Sequence, residues 1–155
     1  MPERARTRLG DVFYDTMFHY AINMGGAAFV TGLETLNGTI AIQSDANFLC
    51  VHSMYETGVP TATSATRVTL LNGGVLVQLT DGASGRAMSN ILVPADTIFG
   101  SAERPYMWPF THLFRANTPI TFQITGQGAA VIGLTFRFVL GGFKVKVGSV
   151  PGTNL

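Results

Sequence analysis

Side chains that alternate with a period of two, in short runs cut by Gly, Pro, Asn and Asp, restrict the fold of this chain more than any other feature. "PITFQITG", residues 119 to 126, sets Ile120, Phe122 and Ile124 against Thr121, Gln123 and Thr125, and an extended strand puts those sets on opposite faces. "VIGLTFRFVLGG", 131 to 142, sets Ile132, Leu134, Phe136, Phe138 and Leu140 against Gly133, Thr135, Arg137 and Val139. From Ala27 onward Gly, Thr, Val, Ile and Phe dominate, and no helical period persists over ten residues. Strands are expected at about 27–33, 38–43, 47–55, 66–71, 75–80, 86–93, 119–125 and 130–140, with a short ninth at 142–147. Eight or nine strands point to two packed sheets or a barrel. With the long crossover at 94–119, the prediction is an all-β chain: a jelly-roll-like antiparallel β-sandwich of about eight strands with an extended N-terminal arm.

Two hairpins carry local signals. In "RVTLLNGGVLVQLT", Asn72, Gly73 and Gly74 supply the positive φ angles of a tight turn. Asp81, Gly82, Ser84 and Gly85 form a longer turn before "RAMSNILV", so three strands should follow as a meander. The stretch 94 to 119 contains Pro94, Pro105, Pro109 and Pro119, each of which removes a ladder donor, and so reads as a long crossover rather than an interior strand. The final strand is expected to pair with 119–125 through "GQGA".

The first 25 residues are expected to stand apart as an arm, with residues 26–155 as the sandwich domain. Arg4, Arg6 and Arg8 have almost no apolar partners between them and cannot pack alone. Phe13, Met17, Phe18 and Ile22 have a loose helical spacing, compatible with a short helix or an irregular packed arm. Arg4, Arg6, Arg8, Phe13, Tyr14 and Phe18 are accordingly candidate intersubunit residues.

Charge points the same way. Only 12% of the 155 residues are Asp, Glu, Lys or Arg while 46% are hydrophobic, against about 25% charged in ordinary soluble domains. So poorly charged an exterior favours association, and a homo-oligomer, a trimer rather than a dimer, is expected. A net charge of +1 offers no basic surface to nucleic acid or anionic lipid. Residues 16 to 33 lack Asp, Glu, Lys and Arg, but His19, Tyr20, Asn23, Gly25 and Gly26 argue against a membrane span. The first ten residues lack the apolar run of a signal peptide. Cys50 is the single cysteine, which excludes an intrachain disulfide and reads as a buried, inert thiol.

No catalytic constellation emerges. His19, His52 and His112 lack metal-ligand spacing, and no nucleophile elbow, phosphate loop, zinc-protease motif or dinucleotide fingerprint occurs. No cofactor, metal or enzymatic activity is expected. Tyr106, Met107, Trp108 and Phe110 gather aromatic and apolar surface in the proline-rich crossover. Tyr106 and Trp108 could stack on a sugar, but a packed plug or a subunit contact suits such a cluster better.

In order and spacing, "ANFLCVHSMY", "VQLTDGASGRAMSN" and "RPYMWPFTHLFRANTPITFQITGQGAAVIGLTFRFVLGGFKV" resemble a loose group of small structural proteins of tailed bacteriophages. The matching positions are Asp45 to Phe48, Asp81 to Ser89, Arg104 to Phe110, Ala116 to Ile124 and Gly142 to Lys144, about two thirds of the chain. Arg115 stands where that group has Pro, and the first 30 residues have no counterpart in it. The resemblance implies a jelly-roll-like virion subunit, a capsid decoration or cement protein bound to the major capsid protein or another virion protein. It would sit on the capsid surface and pass through the host cytoplasm before assembly. A tail, neck or baseplate part and a carbohydrate-binding module are the alternatives.

Overall fold

The computed structural model describes residues 8–9, 12–58 and 74–147, with side chains from 16 to 58 and 74 to 146. Ten strands make up the described chain: β1 (Arg8–Leu9), β2 (Val12–Gly25), β3 (Thr35–Ala41), β4 (Asn47–Gly58), β5 (Val75–Asp81), β6 (Arg86–Ala87), β7 (Val93–Pro94), β8 (Tyr106–Phe114), β9 (Pro119–Gly126) and β10 (Thr135–Val147). Single 3-10 turns at Gly26–Ala28, Ala95–Thr97 and Ala129–Val131 are the helical elements among them.

The pairing is nested. β2 pairs with β10, β3 with β9, β4 with β8, and β5 with β6 and β7, all antiparallel. A chain doubled on itself and then rolled delivers these pairs alternately to two layers. Sheet A has the order β1-β2-β10-β4-β8, and sheet B the order β3-β9-β5-β6, with β7 also on β5. This is the jelly-roll arrangement of two interleaved Greek keys, so the predicted fold class holds.

Alternation places the core. β9 buries Ile120, Phe122 and Ile124, and β10 buries Phe136, Phe138 and Leu140. These meet Phe48 and Cys50 of β4 and Val75, Val77 and Leu79 of β5. Phe138 is the hub, its ring 5.0 Å from Phe99, 5.9 Å from Phe122, 6.0 Å from Tyr55 and 6.3 Å from Phe136 between centroids.

Several expectations are corrected. Residues 12–25 form no helix or separate arm but an interior strand, matched to β10 from Gly25↔Thr135 to Val12↔Val147. Phe18, Tyr20, Ile22 and Met24 alternate toward the core; the apparent helical spacing mixed residues from both faces. Residues 27–33 are not a strand. The chain turns sharply through Gly25 (φ 97) and Gly26 (φ 65), a region glycine enters without strain. The Glu34 carboxylate then accepts bonds from the Thr31 and Gly32 amides and the Thr31 hydroxyl, which hold it down to about 2. Of 86–93 only Arg86–Ala87 and Val93–Pro94 are strand. β10 begins at Thr135, leaving Ile132 exposed in a turn, and runs on through the expected ninth strand. It lies between β2 and β4 in sheet A rather than beside β9. The 66–71 strand and its Asn72-Gly73 turn lie outside the described residues.

The crossover contains β8, an edge strand, which is where Pro109 is tolerated. Cys50 pairs with His112 and His52 with Met107, so Trp108 to Thr111 leave the ladder as a wide bulge. Val51 is the extra residue on β4, since Gly141 pairs with His52 and Gly142 with Cys50. The bulge reverses which residues face inward: Phe48 and Cys50 before it, Ser53, Tyr55 and Thr57 after it.

Truncating the hub should cost much of the fold's stability. Phe138→Ala removes a fully buried ring from between the sheets, with an expected loss of about 3–5 kcal/mol, read from the urea midpoint of the purified chain.

Candidate interaction surface

Among the described residues the outward face of sheet A carries no catalytic cluster, and its composition is unlike a solvated sheet face. Residues directly opposite on neighbouring strands share a face, so the register reads it row by row. One row is Met17, Phe143, Leu49 and Leu113; the next is His19, Gly141, His52 and Met107; the third is Ala21, Val139 and Met54. Among the described side chains of the face the fourth row is the charged one, where Arg137 donates to Asn23 at 2.9 Å and to Glu56 at 3.1 Å. Met17, Leu113 and Met107 are 57%, 45% and 65% exposed, and Phe110 in the β8 bulge is 88% exposed.

Two histidines come together there from distant parts of the chain. The His19 and His52 rings lie 5.4 Å apart, edge to face. His52 is only 8% exposed, because Gly141 has no side chain and the imidazole occupies that space; a Cβ there would fall 2.0 Å from His52 Nε2. Burial first and His19 second lower the His52 pKa.

The predicted contact residues are only partly assembled by the fold. Arg4 and Arg6 lie outside the described residues, while Arg8, Phe13 and Tyr14 are described by backbone alone, Arg8 and Phe13 being register partners. Phe18 faces inward, 4.8 Å from Tyr20 and beneath the Lys144 ammonium at 4.3 Å, so it is a sandwich residue. Trp108 packs partly buried on the core, its indole N–H donating to Ser53 Oγ at 2.9 Å while that hydroxyl bonds the Ile98 carbonyl. Tyr106 is half-buried opposite Ser53. Met107 and Phe110 are the exposed members. Sequence reasoning missed Leu49, Leu113, Phe143 and the histidine pair; the one available signal was Phe143, the apolar residue next in step after Gly141.

Segments 45–48, 81–89, 116–124 and 142–144 of the quoted sequence pattern meet at one end of the sandwich, while segment 104–110 lies in and before β8, where Met107 and Phe110 are exposed. Lys144 Nζ lies 2.7 Å from Asp45 Oδ2, the Ala116 amide donates to Asn47 Oδ1 at 2.9 Å, and the Gly82 amide donates to the Pro119 carbonyl at 2.8 Å. Lys144 draws the Asp45 carboxyl below its usual range. An open depression of about 360 Å³ between Asp45, Asn47, Ala116 and Lys146 marks this end.

Other reactive groups are occupied structurally. Asp81 of sheet B accepts from Ser84 Oγ at 2.9 Å and the Ala83 amide at 3.0 Å, and meets His112 of sheet A at 3.4 Å. Because Ser84 bonds the carboxylate rather than the imidazole, this trio clasps the two sheets and lacks the order of a nucleophilic triad. Burial pushes the Cys50 thiol up to about 12, too high for thiolate chemistry. Among the described residues no three His, Cys, Asp or Glu converge to hold a metal, and no helix is long and apolar enough to cross a membrane. Compared with models of known protein families and with curated proteins, the chain has no significant match.

His52 sets a pH dependence. Its folded pKa lies below the ordinary value of about 6.5, so the unfolded chain takes up a proton that the folded chain resists. Stability is fully present above that ordinary value and falls as the pH drops through it toward the lowered folded value. The urea midpoint should be lower at about pH 5.5 than at about pH 7.5, and His52→Gln should flatten the difference.

Proposed function

We propose that this chain is a non-enzymatic structural subunit of a virion, a decoration or cement protein on the head of a tailed bacteriophage. What carries the reading is a jelly roll whose broad outward sheet face is apolar and almost without charge, the surface of a subunit built to be covered. The resemblance to phage structural proteins supports it from a second direction, four of its five segments tying one end of the sandwich together. Its partners would be the major capsid protein and further copies of itself, and repeated weak contacts across a symmetric shell would sum to firm attachment. Location in the tail, neck or baseplate uses the same surface and differs in copy number. A carbohydrate-binding role draws less support, because Trp108 is anchored on the core through Ser53.

Quantitative mass spectrometry of purified particles tests the assignment. Hundreds of copies per particle are expected; a dozen or fewer would move the protein to the tail, and its absence from particles would overturn the virion reading.

A further inference from the structure

We propose that the outward face of sheet A is a two-fold contact between two copies of this chain, closed while His19 and His52 at its centre are neutral and opened when they take up protons. Its size is the first reason. β10 has 13 residues and β4 has 12, so β2, β10 and β4 span a face about 40 Å long and about 15 Å wide, which β8 widens along the residues it pairs, Phe48 to Ser53. That is roughly 700 Å², close to the ~800 Å² each partner contributes to a standard interface.

Charge selects the occupant. A foreign partner is recognised and steered by complementary charge, and the three apolar rows offer none. The formal charges in the fourth row, Arg137 and Glu56, neutralise each other at 3.1 Å. Such a face meets its own copy without repulsion.

Symmetry places the histidines. In a two-fold contact the residues nearest the axis meet their counterparts, and Gly141, the midpoint of β10, carries the His19–His52 row. Four imidazoles therefore converge where water is excluded. Neutral, they add flat, weakly polar surface; protonated, they bring like charges together in a desolvated centre. Among the described side chains nothing on the face offsets that charge. Among the described side chains β2 presents His19, β4 presents His52 and the distant Glu56, β10 presents Arg137 two rows away, and β8 presents the uncharged Met107 and Leu113. Glu103 and Arg104 belong to the turn before β8, beyond the face. The contact belongs to the free chain and stands whether or not the chain sits on a particle.

Sedimentation velocity of the full chain, from low to high micromolar concentration at about pH 7.5 and pH 5.0, tests this. A dimer is expected at the higher pH, with at least a tenfold weaker association at the lower. Leu113→Glu and, separately, Met107→Glu, both at exposed positions, should leave the thermal transition in place and abolish the dimer. His19→Gln should narrow the pH response. A chain that stays monomeric at every concentration at pH 7.5, a trimer, or a dimer that both glutamate variants leave intact would overturn the two-fold contact. A dimer equally tight at both pH values would overturn its control by histidine.

Discussion

A single extra residue, Val51, decides what the two faces of β4 present. Strand side chains alternate, so a one-residue slip exchanges the faces of everything that follows. Without it, His52 would point into the phenylalanine core, while Ser53, Tyr55 and Thr57 would point to solvent. With it, Ser53 can anchor Trp108 and Tyr55 can stack on Phe138. Accommodation of the bulge falls to Gly141 and Gly142 on the adjoining strand. A Cβ on Gly142 would lie 1.9 Å from the Leu49 carbonyl oxygen, and one on Gly141 would collide with the His52 ring. The "LGG" in β10 is thus the complement of the bulge in β4, and the packed interior and the histidine pair outside both depend on that fit.

The legible part of this fold was the part governed by nearest neighbours. β5 and β9 follow from period-two alternation, β10 from the same signal with its start displaced, and the Asp81–Gly85 turn from its residue types. Exclusion of an interior strand from the proline-rich crossover was also sound, because β8 lies at an edge and leaves its ladder around Pro109. What escaped depended on long-range pairing. β2 alternates Phe18, Tyr20, Ile22 and Met24, yet an incidental spacing of apolar residues across both faces resembled a helix, and nothing local says that this strand enters the sheet beside β10. The jelly roll pairs β2 with β10, the last of the described strands, so adjacency in sequence misled the pairing of β10 with β9.

The candidate surface was hidden for the same reason. Low charge showed that some exterior ought to be covered, but not which exterior. His19 and His52 become neighbours only through Gly141, which pairs with both, and Leu49, Phe143 and Leu113 form one row only once three registers are known. Conversely, turn residues such as Asp81, Gly82 and Gly85 were visible in sequence, because identity there is constrained locally. They secure the architecture, while the composition of the apolar face is set by strand register.

The position of β10 has a consequence for folding. The strand that joins β2 to β4 in sheet A is the last of the described strands, and the register pair Val12↔Val147 brings together opposite extremes of the described chain. Until it emerges, the first strands have no shared neighbour, and that layer cannot close over the interior. Closure of sheet A therefore waits on contacts of long sequence separation, and the facing edges of β2 and β4 stay unpaired until β10 arrives.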